Sequence, residues 1–349
     1  MSDFNRVIIP TGYMGSGSSA ITDLLSGIDG FDVSRSTFEF VFLHCPNGVF
    51  DLEDKLLIGN NAVRSDEALH SFSKTMQQLY NKRYWWVGHY DQYIGKEFWN
   101  ETQKYINELR NFSLEYYWYY QENVEIKMVP RLILNRILNR IPGMKKYEKK
   151  ALAYSPMWVS YIQPEEFYKS SQKYIYSLFE IMGRNEKNIV LDQLLLPFNL
   201  FRFEKYFKDD VEVFVVERDP RDVFILNKYY WSKSNEPVPY PTDVEQFCEF
   251  YKRLREMERP CVHPQIHRIH FEDLVYDYEN TVKAIFDILN IDIEKQYKTK
   301  FDPCKSINNT QLFLQNEIYK EECKIIEERL EKYLYAFPYE IGHDEKAFF

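Results

Sequence analysis

A chain of 349 residues suffices for one large α/β domain or for two smaller ones. Its net charge of −9 argues against nucleic-acid binding driven by bulk charge, and no apolar run approaches the length of a bilayer span. The cysteines (Cys45, Cys248, Cys261, Cys304 and Cys323) form no Cys-x-x-Cys pair, which excludes a zinc framework and suits free thiols in a reducing, cytoplasmic setting.

The first predicted strand, Val7–Ile9, ends at Pro10 and passes into a loop holding Gly12, Gly15 and Gly17. Polar Ser2-Asp3-Phe4-Asn5 leads straight into this strand, without the pattern of a signal peptide. Ser18 and Ser19 then open a periodic segment that predicts a helix over 18–27. Strand, glycine loop and helix start in this order form an anion cradle. Glycines let backbone N–H groups converge, and the helix N-terminus adds unpaired donors and a favourable dipole. The spacing Gly12-x4-Gly17-Ser18-Ser19 lacks the lysine of the nucleotide-triphosphatase motif, which argues against an ordinary ATPase.

Glu39 follows within Ser36-Thr37-Phe38-Glu39-Phe40-Val41-Phe42. It reads either as a desolvated carboxylate of raised pKa or as a solvated loop residue. From about 50 to 185 the chain shows no comparable strand series, and helices are predicted over 66–80, 96–120 and 164–183. Aromatic residues make up 17% of the chain, a surplus that fits a tyrosine-rich core better than a ligand cleft. The clusters Tyr84-Trp85-Trp86 and Tyr116-Tyr117-Trp118-Tyr119-Tyr120 point in too many directions to assign to a ligand. Between 127 and 150, eight lysines and arginines face Glu148 alone, interleaved with Leu132, Ile133, Leu134, Ile137, Leu138 and Ile141. Two readings stand for this segment. It is a helix docked by its apolar face, or a basic amphipathic stretch lying on an anionic membrane or a polyanionic acceptor.

Three further apolar runs complete a strand series: Ile189–Leu191 ending at Asp192, Val211–Val216 ending at Glu217, and Ile266–Phe271 ending at Glu272. Helices are predicted over 220–232, 242–258, 278–290 and 315–333. This alternation predicts a parallel sheet with crossover helices. Arg218, just past a buried strand, falls at the carboxyl edge of that sheet, where open α/β folds bind ligands, and it reads either as a guanidinium that grips phosphate or as a strand-end arginine paired with a structural Asp. Pro220 suits the first turn of the next helix.

Gly12–Ser19, Arg218-Asp219-Pro220-Arg221-Asp222-Val223 and Phe271-Glu272-Asp273-Leu274, taken together, resemble the sulfotransferase family that uses 3′-phosphoadenosine 5′-phosphosulfate. A fourth element, Phe301-Asp302-Pro303-x-x-Ser306-x-x-Asn309, is similar to that family's late loop over the nucleotide. The resemblance covers roughly 5–40 and 188–315. It implies an α/β, P-loop-type three-layer fold with a central, mainly parallel sheet. On this reading 1–349 is a single domain with a helical insertion at about 50–185. The resemblance also implies a nucleotide cradle of Gly12, Gly15, Ser16, Gly17, Ser18 and Ser19 for the 5′-phosphosulfate, with Arg218 for the 3′-phosphate. Asn227, Ser306 and Asn309 join the nucleotide-binding set, and no metal is required. Two positions depart from the family pattern. Gly15 stands where the family carries Lys or Arg, a contact worth about 2.7–4 kcal/mol in the transition state, and Leu226 stands where it often carries a serine.

Sulfuryl transfer to a hydroxyl or amine needs a base. The family's glycan-modifying branch places a glutamate near the position of Glu39, with His44, His89 and Asp192 as reserves. The expected activity is transfer of a sulfuryl group from 3′-phosphoadenosine 5′-phosphosulfate to a hydroxyl or amine, with a glycan or lipid-linked sugar as the acceptor class. The alternatives are a catalytically silent sulfonucleotide-binding protein and a P-loop kinase or nucleotide hydrolase.

Overall fold

A computed structural model describes residues 6–33, 38–84, 87–114, 126, 129–138, 140–143, 156–183, 188–234, 238–292 and 299–342. Trp85, Trp86, the aromatic run 116–120 and the basic stretch 144–150 lie outside them. The chain divides into two compact units, one formed by Met1–Phe40 with Met182–Phe349 and the other by Val41–Ile181.

The first unit is built on five parallel strands: β1 (Arg6–Gly12), β2 (Phe31–Asp32), β3 (Asn188–Val190), β4 (Val211–Glu217) and β5 (Ile266–His270). Their order across the sheet is β2-β3-β1-β4-β5. The central strand β1 pairs Ile8 with Val190 on one side and with Glu212 on the other. Consecutive residues Val213–Val216 are all fully buried, as expected of a strand covered on both faces. Alternate side chains serve opposite faces. Phe214 and Val216 join Ile21, Leu24 and Leu25 of the helix Ser19–Leu25, and Ile285 and Phe286 of the helix Tyr278–Leu289, in one core cluster. A second cluster gathers Val223–Leu226 with Phe247, Leu312 and Ile326 around the helices Val244–Glu256 and Glu317–Arg329. The fold is thus α/β, a central parallel sheet flanked by helices.

The four predicted strands are present, and β2 is an addition. The segment predicted as one helix over 220–232 is broken. An α-helix spans Pro220–Ile225, then the backbone widens over Leu226–Tyr230, where the Trp231 N–H donates to the Leu226 carbonyl five residues back.

The second unit holds the helices Val49–Leu57, Ala62–Asn81 and Lys96–Leu109 and most of Pro164–Met182. The helix expected over 96–120 stops at Leu109. Phe112–Leu114 instead pairs antiparallel with Met157–Val159, a long-range ladder that overrides the local periodicity. Much of the aromatic surplus is consumed in this core. Tyr105 and Tyr174 stack at 4.7 Å, and their hydroxyls bond to Ser171 at 2.7 Å and Thr102 at 2.9 Å.

Candidate functional site

The loop after β1 is shaped by close approaches that only glycine permits. A Cβ on Gly12 would lie 2.6 Å from the Val216 carbonyl. Gly15 and Gly17 take left-handed backbone angles, φ +79° and +84°, which an L side chain resists. A Cβ on Gly17 would come within 2.9 Å of the Phe271 ring, and one on Gly15 within 2.6 Å of Trp231 Cη2. The turn closes through Ser16 N–H to the Tyr13 carbonyl (2.9 Å) and leads into the first helical bond, Ala20 N–H to the Gly17 carbonyl (3.0 Å). Ser16 is 2% exposed, and its hydroxyl has no hydrogen-bond partner. A buried polar atom left unpaired inside a glycine cradle fits an anion site.

The space where the family pattern would place a cationic side chain is filled. Trp231 sits there after the widened turn at Leu226–Tyr230, which sets its helical phase back by about a residue. Leu226, in the place of the family's serine, is buried in the second core cluster.

Arg218 links two of the predicted binding segments. It donates to the Gly15 carbonyl at 3.2 Å and to the Asn309 carbonyl, and its guanidinium lies 4.8 Å from the centre of the Phe271 ring. Its Nε is buried without a partner. Burial pulls its pKa down from the ordinary value, and Asp222, Glu272 and Asp219 oppose that pull. The other charged residues of the motif work as fasteners. Asp219 caps its helix by accepting from Arg221 N–H at 2.9 Å, forms an ion pair with the Arg221 guanidinium, and accepts from Tyr335 N–H at 2.9 Å. Asp222 accepts from the N–H groups of Gln311 and Leu312 at 2.8 and 2.7 Å. Glu272 accepts from Asp219 N–H at 2.9 Å, and burial pushes its carboxyl up to about 8.

Beyond β3, Asp192 is 8% exposed, and its Oδ1 has no partner. Burial, reinforced by the charge of Glu39, pushes its carboxyl up to about 7. The Phe40 N–H bonds to the Asp192 carbonyl at 3.0 Å, so the chain just past Glu39 is tied to Asp192. Glu39 itself is half-buried.

Four residues that sequence reasoning passed over hold the loop. Gln193, in a left-handed conformation (φ +59°), donates to Ser18 Oγ at 2.8 Å. The Tyr240 hydroxyl donates to the Met14 carbonyl at 2.9 Å. Tyr13 donates to Glu258, and Arg255 lies 4.1 Å over its ring while pairing with Glu217 at 2.9 Å. Trp231 is the fourth. Only Gln193 carried a usable signal, as a polar residue immediately past a predicted strand and next to Asp192.

Asn227 is fully buried, and its amide is spent on the backbone. It donates to the Tyr240 carbonyl at 2.9 Å and accepts from the Tyr240 N–H at 3.1 Å, thereby positioning the tyrosine that holds Met14. Ser19 is exposed at the helix start, while Ser306 and Asn309 are half-buried. Asn309 approaches Arg218 through its backbone carbonyl. His44 and His89 belong to the other unit. His44 N–H bonds to the Val41 carbonyl at 3.1 Å, and His89 lies 3.9 Å from Asp91. No group of histidine, cysteine and acidic residues suited to a metal ion occurs among the described residues.

Comparison with solved structures finds the sulfotransferase domain from the curacin biosynthetic pathway (14% identity, TM-score 0.34, covering 83% of this chain and 75% of that one). It also finds the sulfotransferase domain from the Synechococcus PCC 7002 olefin synthase (14% identity, TM-score 0.39, covering 95% and 94%). No curated protein matches the chain. The sequence profile described as "Sulfotransferase family" matches residues 16–295, from inside the glycine loop to beyond β5. With well over half of its length covered, the chain belongs to the sulfotransferase family.

Proposed function

We propose that this chain moves a sulfuryl group from 3′-phosphoadenosine 5′-phosphosulfate to a hydroxyl or amine. The observation that carries the reading is Arg218 bound to both the Gly15 and Asn309 carbonyls, with Ser16 Oγ and Arg218 Nε left unspent nearby in the motif. When bound, the sulfonucleotide supplies the transferable sulfuryl group and its 3′-phosphate handle. Backbone N–H groups of Gly12–Ser19 hold the 5′ anion, and the Ser16 hydroxyl gains the partner it lacks. Arg218 exchanges carbonyl acceptors for the 3′-phosphate, a stronger, charge-assisted pairing. Gln193 fixes the Ser18 hydroxyl. Asp192, its proton affinity lifted to about 7, takes the acceptor's proton at Oδ1, and Glu39 sustains that affinity by its charge. A glycan or lipid-linked sugar is the proposed acceptor class. The unit Val41–Ile181 is read as an insertion into a single domain. Five unpaired thiols support a reducing, cytoplasmic setting.

The test is thermal stabilisation by adenosine 3′,5′-bisphosphate, ATP and magnesium-ATP. A true ligand at 100 times its Kd adds about 2.7 kcal/mol. Stabilisation by magnesium-ATP alone would make the protein a kinase or hydrolase and defeat the proposal. A second reading, a sulfonucleotide-binding protein without turnover, is favoured by one observation: Trp231 fills the space at Gly15 where the family's cation would stand. Bisphosphate binding without sulfate release across a panel of hydroxyl and amine acceptors selects that reading.

A further inference from the structure

We propose that the helix Val129–Leu138 in the second unit is a peripheral anchor for an anionic lipid bilayer. The sequence left open whether this segment docks by its apolar face, and the structure leaves Ile133, Leu134, Ile137 and Ile141 of that face exposed, with Leu138 half-buried. Ile126 is 90% exposed, Ile133 55%, Ile137 52% and Leu134 45%, with Val129 and Ile141 at 41% each. At about 100° per residue, Val129, Ile133, Ile137 and Ile141 fall in one row with Leu134 beside it. A soluble protein rarely leaves such an aliphatic row in water. Ile141 is kept in the row by a continuing turn, its N–H bonding to the Leu138 carbonyl at 3.1 Å. Arg136 and Arg140, both exposed, fall along the edge of the row, where a guanidinium reaches headgroup phosphates while its stem lies on acyl chains.

Charge selects the occupant. Segment 127–150 carries eight lysines and arginines against one glutamate, in a chain whose net charge is −9, so attraction to an anionic surface is local to this segment. Lysine is depleted in protein–protein interfaces, and the exposed row is aliphatic without the aromatic anchors such interfaces favour, so a bilayer fits better than a protein partner. No described helix is long and apolar enough to cross a membrane, which is consistent with a helix lying in the interface plane. The inference stands apart from the nucleotide reading and is tested without it.

The experiment is co-sedimentation of the full chain with vesicles of phosphatidylcholine alone and of phosphatidylcholine mixed with phosphatidylserine. The protein should pellet with the mixed vesicles, less so as salt rises, and should stay in the supernatant when the vesicles are phosphatidylcholine alone. The double substitution Ile133→Asn/Ile137→Asn should lower the partition coefficient about tenfold or more. Arg136→Ala/Arg140→Ala should lower it about 30-fold. All four side chains are exposed, so both variants should keep the parental melting midpoint. Equal binding to both vesicle types, no binding to either, or undiminished binding by both variants overturns the proposal. Concentration-dependent self-association that the isoleucine pair abolishes, without vesicle binding, would assign the face to a second copy and overturn it as well.

Discussion

Replacing Gly15 by alanine creates two conflicts at one atom. The backbone there is left-handed (φ +79°), and the new methyl would lie 2.6 Å from the tip of the Trp231 ring. The first conflict costs about 1–2 kcal/mol. The second is overpacking, worth about 1–3 kcal/mol depending on how far the indole yields. Gly15→Ala should therefore lose about 2–5 kcal/mol in urea unfolding at constant slope. The two parts separate in a double-mutant cycle. Combined with Trp231→Ala, the alanine should retain only its backbone penalty, giving a coupling of about 1–3 kcal/mol. An alanine variant that unfolds at the parental midpoint would refute the reasoning, as would a penalty that Trp231→Ala leaves unchanged. The same obstacle faces Gly15→Lys, so restoring the family's cation at this position should not raise turnover while Trp231 remains.

Arg218→Met should weaken binding of adenosine 3′,5′-bisphosphate about 10–150-fold, the worth of one charge-assisted contact, while leaving adenosine 5′-phosphate nearly unaffected; retained discrimination in titration calorimetry would remove Arg218 from the 3′-phosphate. Glu272 has a folded pKa of about 8 against an ordinary 4.5, so the folded state holds the extra proton and stability falls as pH rises between those values. Glu272→Gln should flatten that part of the pH–stability curve, and an undiminished slope in the variant would assign it elsewhere. If Asp192 takes the acceptor's proton, kcat/KM should fall as pH drops through about 7. Asp192→Asn should then cost about 10²–10⁴ in kcat and lose that acidic limb; a parental pH profile in the variant would exclude Asp192.

Contiguous patterns were readable in the sequence, and features made by distant partners were not. β1, β3 and β4 appear as apolar runs because both faces of the sheet interior are buried, whereas β5 is an edge strand of half-buried residues around an exposed Arg268. β2 is only Phe31-Asp32, too short to leave a pattern. Phe112–Leu114 is a strand only because Met157–Val159 pairs with it. The glycine loop and Arg218 were legible from spacing, since phosphate-type cradles need particular backbone angles. The reason for Gly15 was hidden, because it lies in Trp231 and in a widened turn that no propensity signals. Asp192 and Glu39 stand 153 positions apart, and only the fold brings them close enough for the charge of Glu39 to add to the burial that raises the Asp192 carboxyl. Asn227 is the opposite case. An amide near a ligand motif resembles a ligand, but full burial commits it to neighbouring backbone.

Asp222 bonds to the Gln311 and Leu312 amides, Asp219 to the Tyr335 amide, and Arg218 to the Asn309 carbonyl. The family profile ends at residue 295, yet the chain beyond it supplies partners for three charged side chains of the Arg218–Asp222 motif. Peeling that tail away would strand buried charges beneath the glycine loop, so the tail and the loop cannot open independently at low cost. In amide exchange the N–H groups of Gln311, Leu312 and Tyr335 should share one opening free energy with the turn at Ser16, making the first and last parts of this unit a single cooperative element.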